Sequence, residues 1–91
     1  MVKGKTKSGF EFEYDEQALN DMEFLDAVVE AESGNASAIL RAQSFMIIKL
    51  LGKDQRKKLY DHLRTPEGRV PCELVEQELT DMMEAADAGK N

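Results

Sequence analysis

The sequence predicts an α+β fold that is mostly α: an N-terminal β-hairpin followed by a compact bundle of about four helices, one domain spanning residues 1–91. Three observations point there. Phe10, Phe12 and Tyr14 alternate with Glu11 and Glu13 directly after Ser8-Gly9, the period of a half-buried strand leaving a turn. The stretch from Ala36 to Leu51 is apolar around most of a helical circumference, its polar edge being mainly Arg41, Gln43 and Lys49. A helix of that kind is normally wrapped by others. Further segments carry apolar residues at spacings of three and four, separated by glycine or proline.

The hairpin occupies residues 1–14, and charge selects its register. A two-residue loop would pair Lys5 with Phe12 and Lys7 with Phe10, mixing cations into the apolar face. A three-residue loop, Lys7-Ser8-Gly9, pairs Thr6 with Phe10, Gly4 with Phe12 and Val2 with Tyr14. It also sets Lys5 opposite Glu11 and Lys3 opposite Glu13, so this is the consistent register, with Gly9 left-handed in a bulged turn. An isolated hairpin is marginal in water. Its aromatic face is therefore expected to pack on the helices, and its outer edge is open in principle to a partner strand.

After a short turn at Asp15–Ala18, the first helix is expected over 20–33. Asn20 is its cap, Glu23 follows three residues later, and Leu19 is placed to staple to Phe24. Met22, Leu25, Val28 and Val29 form the expected inward stripe, and Gly34 ends the helix. The central helix covers 36–51, capped by Asn35 or Ser37 and closed by Gly52. A third helix covers 54–64 with Leu59, Tyr60 and Leu63 inward. Thr65-Pro66-Glu67-Gly68 reads as a type I turn. Pro71 then opens a fourth helix over 71–87, striped by Val75, Leu79, Met82, Met83 and Ala86; Ala88–Asn91 should fray.

Composition excludes several classes. With 42% hydrophobic and 33% charged residues, the chain matches an ordinary globular protein, not a disordered one. The longest apolar run, Phe45–Ile48, is far too short to span a membrane. A single cysteine, Cys72, precludes an internal disulfide, and no charged-then-apolar leader opens the chain, so a cytosolic setting is expected. The net charge of −6 is uneven. Residues 15–32 hold seven acids and no base; residues 71–91 hold six acids against Lys90; residues 53–64 hold five bases against Asp54 and Asp61. One reading is internal, a basic third helix lying beside acidic first and fourth helices. The other is an acidic docking face for a basic partner.

No constellation for chemistry emerges. His62 stands alone on a basic amphipathic helix, where a surface or boundary position is the ordinary one. Cys72 lies in the first turn of a helix, whose dipole favours thiolate, but no histidine neighbours it in sequence. The carboxylates have solvent-type spacings. No cofactor, metal site or acid–base pair is assigned, and no enzymatic activity is expected. A basic patch, Lys53, Arg56, Lys57 and Lys58, following the break at Gly52-Lys53, admits a helix-turn-helix DNA-binding alternative; the acidic total opposes it. Met22, Met46, Met82 and Met83 fall on apolar helix faces. Core filling is the default for such residues, and a pliable partner surface is the alternative. The candidate partner-binding residues are Met82 and Met83 on the fourth helix with Asp26 and Glu30 on the first.

With these elements in order, one set of segments has a counterpart. It comprises Ser8-Gly9-Phe10-Glu11-Phe12-Glu13-Tyr14, the acidic helix with Asp21-Met22-Glu23, Lys49-Leu50-Leu51-Gly52, Leu59-Tyr60-Asp61-His62-Leu63-Arg64, Glu67-Gly68-Arg69-Val70-Pro71 and Glu78-Leu79. Together they resemble the small tail assembly chaperone-like proteins of long-tailed bacteriophages and prophages, especially of Gram-positive hosts. The resemblance covers most of residues 8–83, and Gly-Arg-Val-Pro before a helix is its sharpest part. It implies a non-enzymatic protein in the host cytoplasm. Such a protein binds the tape measure protein, keeps it soluble while tail tube protein assembles around it, and is absent from the finished virion. A structural tail subunit is the neighbouring alternative.

Overall fold

The computed structural model describes residues 1–88. Strand β1 (Val2–Lys5) pairs antiparallel with β2 (Glu11–Tyr14). The register is Val2 with Tyr14, Lys3 with Glu13, Gly4 with Phe12 and Lys5 with Glu11, as expected from the three-residue loop. Thr6 and Phe10 close that loop, the Thr6 N–H donating to the Phe10 carbonyl at 2.9 Å, and Gly9 has φ 95°. Cross-strand pairs Lys3–Glu13 (3.6 Å) and Lys5–Glu11 (3.9 Å) lie on the exposed face. The other face is sealed, with Phe10, Phe12 and Tyr14 each less than a tenth exposed.

A single 3-10 turn, Glu16–Leu19, leads to α1 (Met22–Ser33). The cap of α1 is Asp21, not Asn20: the Asp21 carboxylate accepts from the Glu23 and Phe24 N–H groups at 2.8 and 3.1 Å. Asn20 instead closes the 3-10 turn, donating its N–H to the Gln17 carbonyl. The inward stripe also differs from the expected one. Phe24 and Ala27 are buried and Val28 and Ala31 half-buried, while Met22, Leu25 and Val29 are exposed. The helix carries two apolar arcs, and the arc of Phe24 with small alanines is the one turned to the core. The alanines let α1 and its neighbour approach closely. A β-carbon on Gly34, between the two helices, would lie 2.8 Å from the Glu30 carbonyl oxygen and 2.9 Å from the Ala38 β-carbon.

Two of the four expected helices are one element. Helix α2 runs Ala36–Leu63, so the described residues form three α-helices. The expected helices 36–51 and 54–64 are its two limbs, and Gly52 between them has φ 75°, ψ 175°. A single glycine in a region essentially closed to other residues changes the chain direction with no intervening loop. Asn35 caps the first limb through the Ala38 N–H (2.9 Å). That limb buries Met46, Ile47, Leu50 and Leu51 but is incompletely wrapped: Leu40 and Phe45 are exposed, and Gln43, expected on the polar edge, is buried. The turn Thr65–Gly68 closes with the Gly68 N–H on the Thr65 carbonyl (2.9 Å), and α3 spans Cys72–Ala88. The Pro71 carbonyl accepts from Leu74 and Val75, so Pro71 stands just outside the helix it introduces. Fraying expected from Ala88 onward concerns mainly 89–91, outside the described residues.

The hairpin is clamped between the second limb of α2 and α3. The Tyr14 hydroxyl donates to the Met82 carbonyl at 2.7 Å, and the Thr6 and Ser8 hydroxyls both donate to Glu78 Oε1 at 2.9 Å. From the other side, the Gln55 amide accepts from the Glu13 N–H (3.1 Å) and donates to the Glu13 carbonyl (2.7 Å). Gln55 thus occupies the outer backbone groups of β2 where a partner strand would pair. One hydrophobic cluster joins the hairpin aromatics to all three helices, with Phe24, Ile47, Leu59 and Met82 its most completely enclosed large side chains.

Gly52→Ala should lower stability by about 1–3 kcal/mol through backbone strain alone, because nothing lies within 4 Å of the added β-carbon. Thermal melts should show this as a drop on the order of 4–8 °C per kcal/mol. Burial, and then the nearby Asp87 and Glu16 carboxylates, raise the Tyr14 phenol above its ordinary 10.0. Neutral tyrosine is favoured in the folded state, so its contribution is intact below pH 10.0 and is lost as pH rises through the folded value. Tyr14→Phe should cost about 1 kcal/mol near neutrality. It should also flatten the alkaline fall in stability measured by denaturant titration.

Candidate functional site: an acidic groove between α1 and α3

Helix α1 packs on the first limb of α2, whereas α3 packs on α2 and on β1. A groove of about 290 Å³ opens between α1 and α3 above α2. Its apolar lining comes from Val28 and Ala31 on one wall, Met46 on the floor, and Leu79 and Met83 on the other wall. Acids edge it: Glu32 from α1, and Glu76, Glu84 and Asp87 from α3, all exposed. Gln43 also lines the floor; it is 8% exposed, and among the described residues no group hydrogen-bonds its amide. Gln43 also lines the neighbouring cleft beside Cys72.

The two methionines expected to face a partner part company. Met83 is half-buried in the groove wall, whereas Met82 is fully enclosed at 0% exposure beneath the hairpin. Adjacent helical residues lie about 100° apart, so only one of the pair can face the groove. Asp26 and Glu30 are exposed on α1. Each is two residues from Val28, and helical residues at that separation do not share a face. The structure therefore leaves them off the groove, and Glu32, with Glu76, Glu84 and Asp87, supplies the acids there. The signal in the sequence was the acidic run itself; which acids edge a groove depends on how the helices rotate.

Pairing among the described residues does not resolve the charge pattern. Among the described residues, the basic limb of α2 pairs only locally, Lys57 and Arg64 both reaching Asp61 at 3.3 and 3.2 Å. Those contacts, Arg64 first and then Lys57, hold the Asp61 carboxyl below its ordinary value. Arg56 stacks 5.8 Å from the Tyr60 ring centre, and Lys53 and Lys58 are exposed. None of these cations makes an ion pair with α1 or α3. The inter-helix pair that does form, Lys49 with Asp21 (3.1 Å) and Glu23 (3.5 Å), ties the start of α1 to the first limb of α2. The Lys49 hydrogen bond, with the Phe24 N–H, holds the Asp21 carboxyl below its ordinary value. The basic limb follows a break of one residue at Gly52, not the three- or four-residue turn of a helix-turn-helix.

Two further places bear on chemistry. His62 Nε2 lies 3.1 Å from Ser8 Oγ and 3.2 Å from the Ser8 carbonyl oxygen, with its ring 5.7 Å from Phe10. Ser8 Oγ is also 2.9 Å from Glu78 Oε1, so this serine–histidine–glutamate contact pins the hairpin loop to α2 and α3. Cys72 is exposed beside a shallow cleft formed with Leu40, Tyr60, Val70 and Val75. Among the described residues no group of three or more His, Cys, Asp or Glu is placed to hold a metal ion, and no helix is long and apolar enough to cross a membrane. Comparisons with protein families, curated proteins and solved structures give no match to this chain.

Met82→Asp should unfold the domain or lower its stability by more than about 3 kcal/mol, since it buries an unpaired charge in the core. Met83→Asp, at the groove, should cost far less. Circular dichroism melts of the two variants side by side check the assignment of core and surface.

Proposed function

We propose that this chain is a non-enzymatic tail assembly chaperone of a long-tailed phage or prophage. In this reading it acts in the cytoplasm of the bacterial host, holding the tape measure protein in solution while tail tube protein assembles around it. The observation that carries the reading is the α1–α3 groove, an apolar lining edged by acids that pair with no cation among the described residues. A long helical protein awaiting assembly exposes apolar stripes that aggregate unless covered. A groove between amphipathic helices is a recurrent way of covering one. The resemblance of residues 8–83 to such chaperones supplies the identity of the partner.

The test is co-expression with the long helical reading frame of the same locus. The long protein is expected in the soluble fraction, carrying this chain through purification, and in the pellet when expressed alone. An insoluble long protein, or a soluble one that does not co-purify, overturns the reading. Recovery of this chain in purified particles overturns it in favour of a structural tail subunit.

A further inference from the structure

We infer that the α1–α3 groove receives a single amphipathic helix whose apolar stripe is flanked by lysine or arginine. The inference rests on the proposal that this face binds a protein partner, and adds the chemistry of the segment recognised. Size comes first. A helix of three turns is about 16 Å long and 10 Å wide, on the order of 1,200 Å³. The groove holds about 290 Å³. The occupant therefore lies along the rim and inserts side chains, with Leu79 and Met83 meeting a stripe at spacings of three and four. The acids from Glu76 to Asp87 extend over about 16 Å of α3, the length of those three turns.

Charge decides the rest. Glu32 on one wall and Glu76, Glu84 and Asp87 on the other lie on both flanks of the apolar lining, and no described cation pairs with them. Cations on both flanks of the incoming stripe complement that arrangement, and acids there are repelled. The same argument opposes a second copy of this chain, whose exposed Leu40 and Phe45 on the first limb of α2 have the neighbouring Lys49 already held by Asp21 and Glu23. Its exposed apolar strip, Met22, Leu25 and Val29, is on an acidic helix carrying Glu23, Asp26, Glu30 and Glu32. Its basic limb has its apolar residues Leu59 and Leu63 already buried. A foreign cationic helix satisfies both the lining and the rim. On α1 the strip extends the binding wall, since Leu25 lies only about 20° from Glu32 around the helix axis.

The probe is a synthetic peptide about three turns long, with leucines at i, i+3, i+4 and i+7 and lysines on both flanks, labelled for fluorescence anisotropy. Its counterpart replaces every lysine by glutamate. The lysine peptide is expected to bind at least about tenfold more tightly than the glutamate peptide, and to weaken several-fold as salt is raised. Glu84→Arg, on an exposed position, and Met83→Asp should each reduce lysine-peptide binding about tenfold, with Lys57→Glu on the basic limb leaving it unchanged. Equal binding of the two peptides, full binding by a folded Glu84→Arg variant, or peptide-independent dimerisation through this face overturns the inference. A bound peptide with no capture of the tape measure protein leaves the groove assignment standing and removes the chaperone reading. Capture that survives Glu84→Arg and Met83→Asp does the reverse.

Discussion

Three aromatic rings on one face of a two-stranded hairpin must be kept from water, and the means by which this is done position the rest of the molecule. Phe10, Phe12 and Tyr14 enter the gap between the second limb of α2 and α3. Polar contacts hold them there: Tyr14 to the Met82 carbonyl, Thr6 and Ser8 to Glu78, and Gln55 to both backbone groups of Glu13. Each contact joins residues at least 42 positions apart, so none exists before the chain is compact. Two hairpin strands alone would not persist in water. Here they are the wedge on which two helices close.

That wedge accounts for the groove. Helix α3 is held against β1 and α2, on the hairpin side, and α1 folds back on the first limb of α2 over small residues. With α3 engaged on one side and α1 on the other, the first limb of α2 is covered on two flanks and left open between them. The bend at Gly52 is part of the same arrangement, because it turns the second limb toward the hairpin without spending a loop.

Electrostatics then separates faces that bind within the chain from those that do not. Lys49 locks the capped start of α1 to α2 through Asp21, and Lys7 reaches Asp81 across the hairpin loop. On the basic limb, Lys57 and Arg64 pair with Asp61 beside them. Glu32, Glu76, Glu84 and Asp87 remain at the groove edge as solvated acids. Exposed charges cost little to keep, and they discourage self-association between like copies. They remain available to a cationic partner, which is why the chaperone reading is placed on this face.

Local pattern in the sequence was enough for the hairpin, its three-residue loop and the helical stretches, and it narrowed the cap of α2 to Asn35 or Ser37, because period, turn chemistry and cross-strand charge act between near neighbours. It was enough, too, for the imbalance of charge. Tertiary structure alone decided how each helix is rotated: that Phe24 and the alanines of α1 face inward instead of Met22, Leu25 and Val29, and that Met82 is core while Met83 lines a groove. It also decided that two expected helices are one bent element and that Gln43 is enclosed. These outcomes depend on packing between segments far apart in the chain. A helix with apolar residues on more than one arc carries no local instruction about which arc its neighbours will cover.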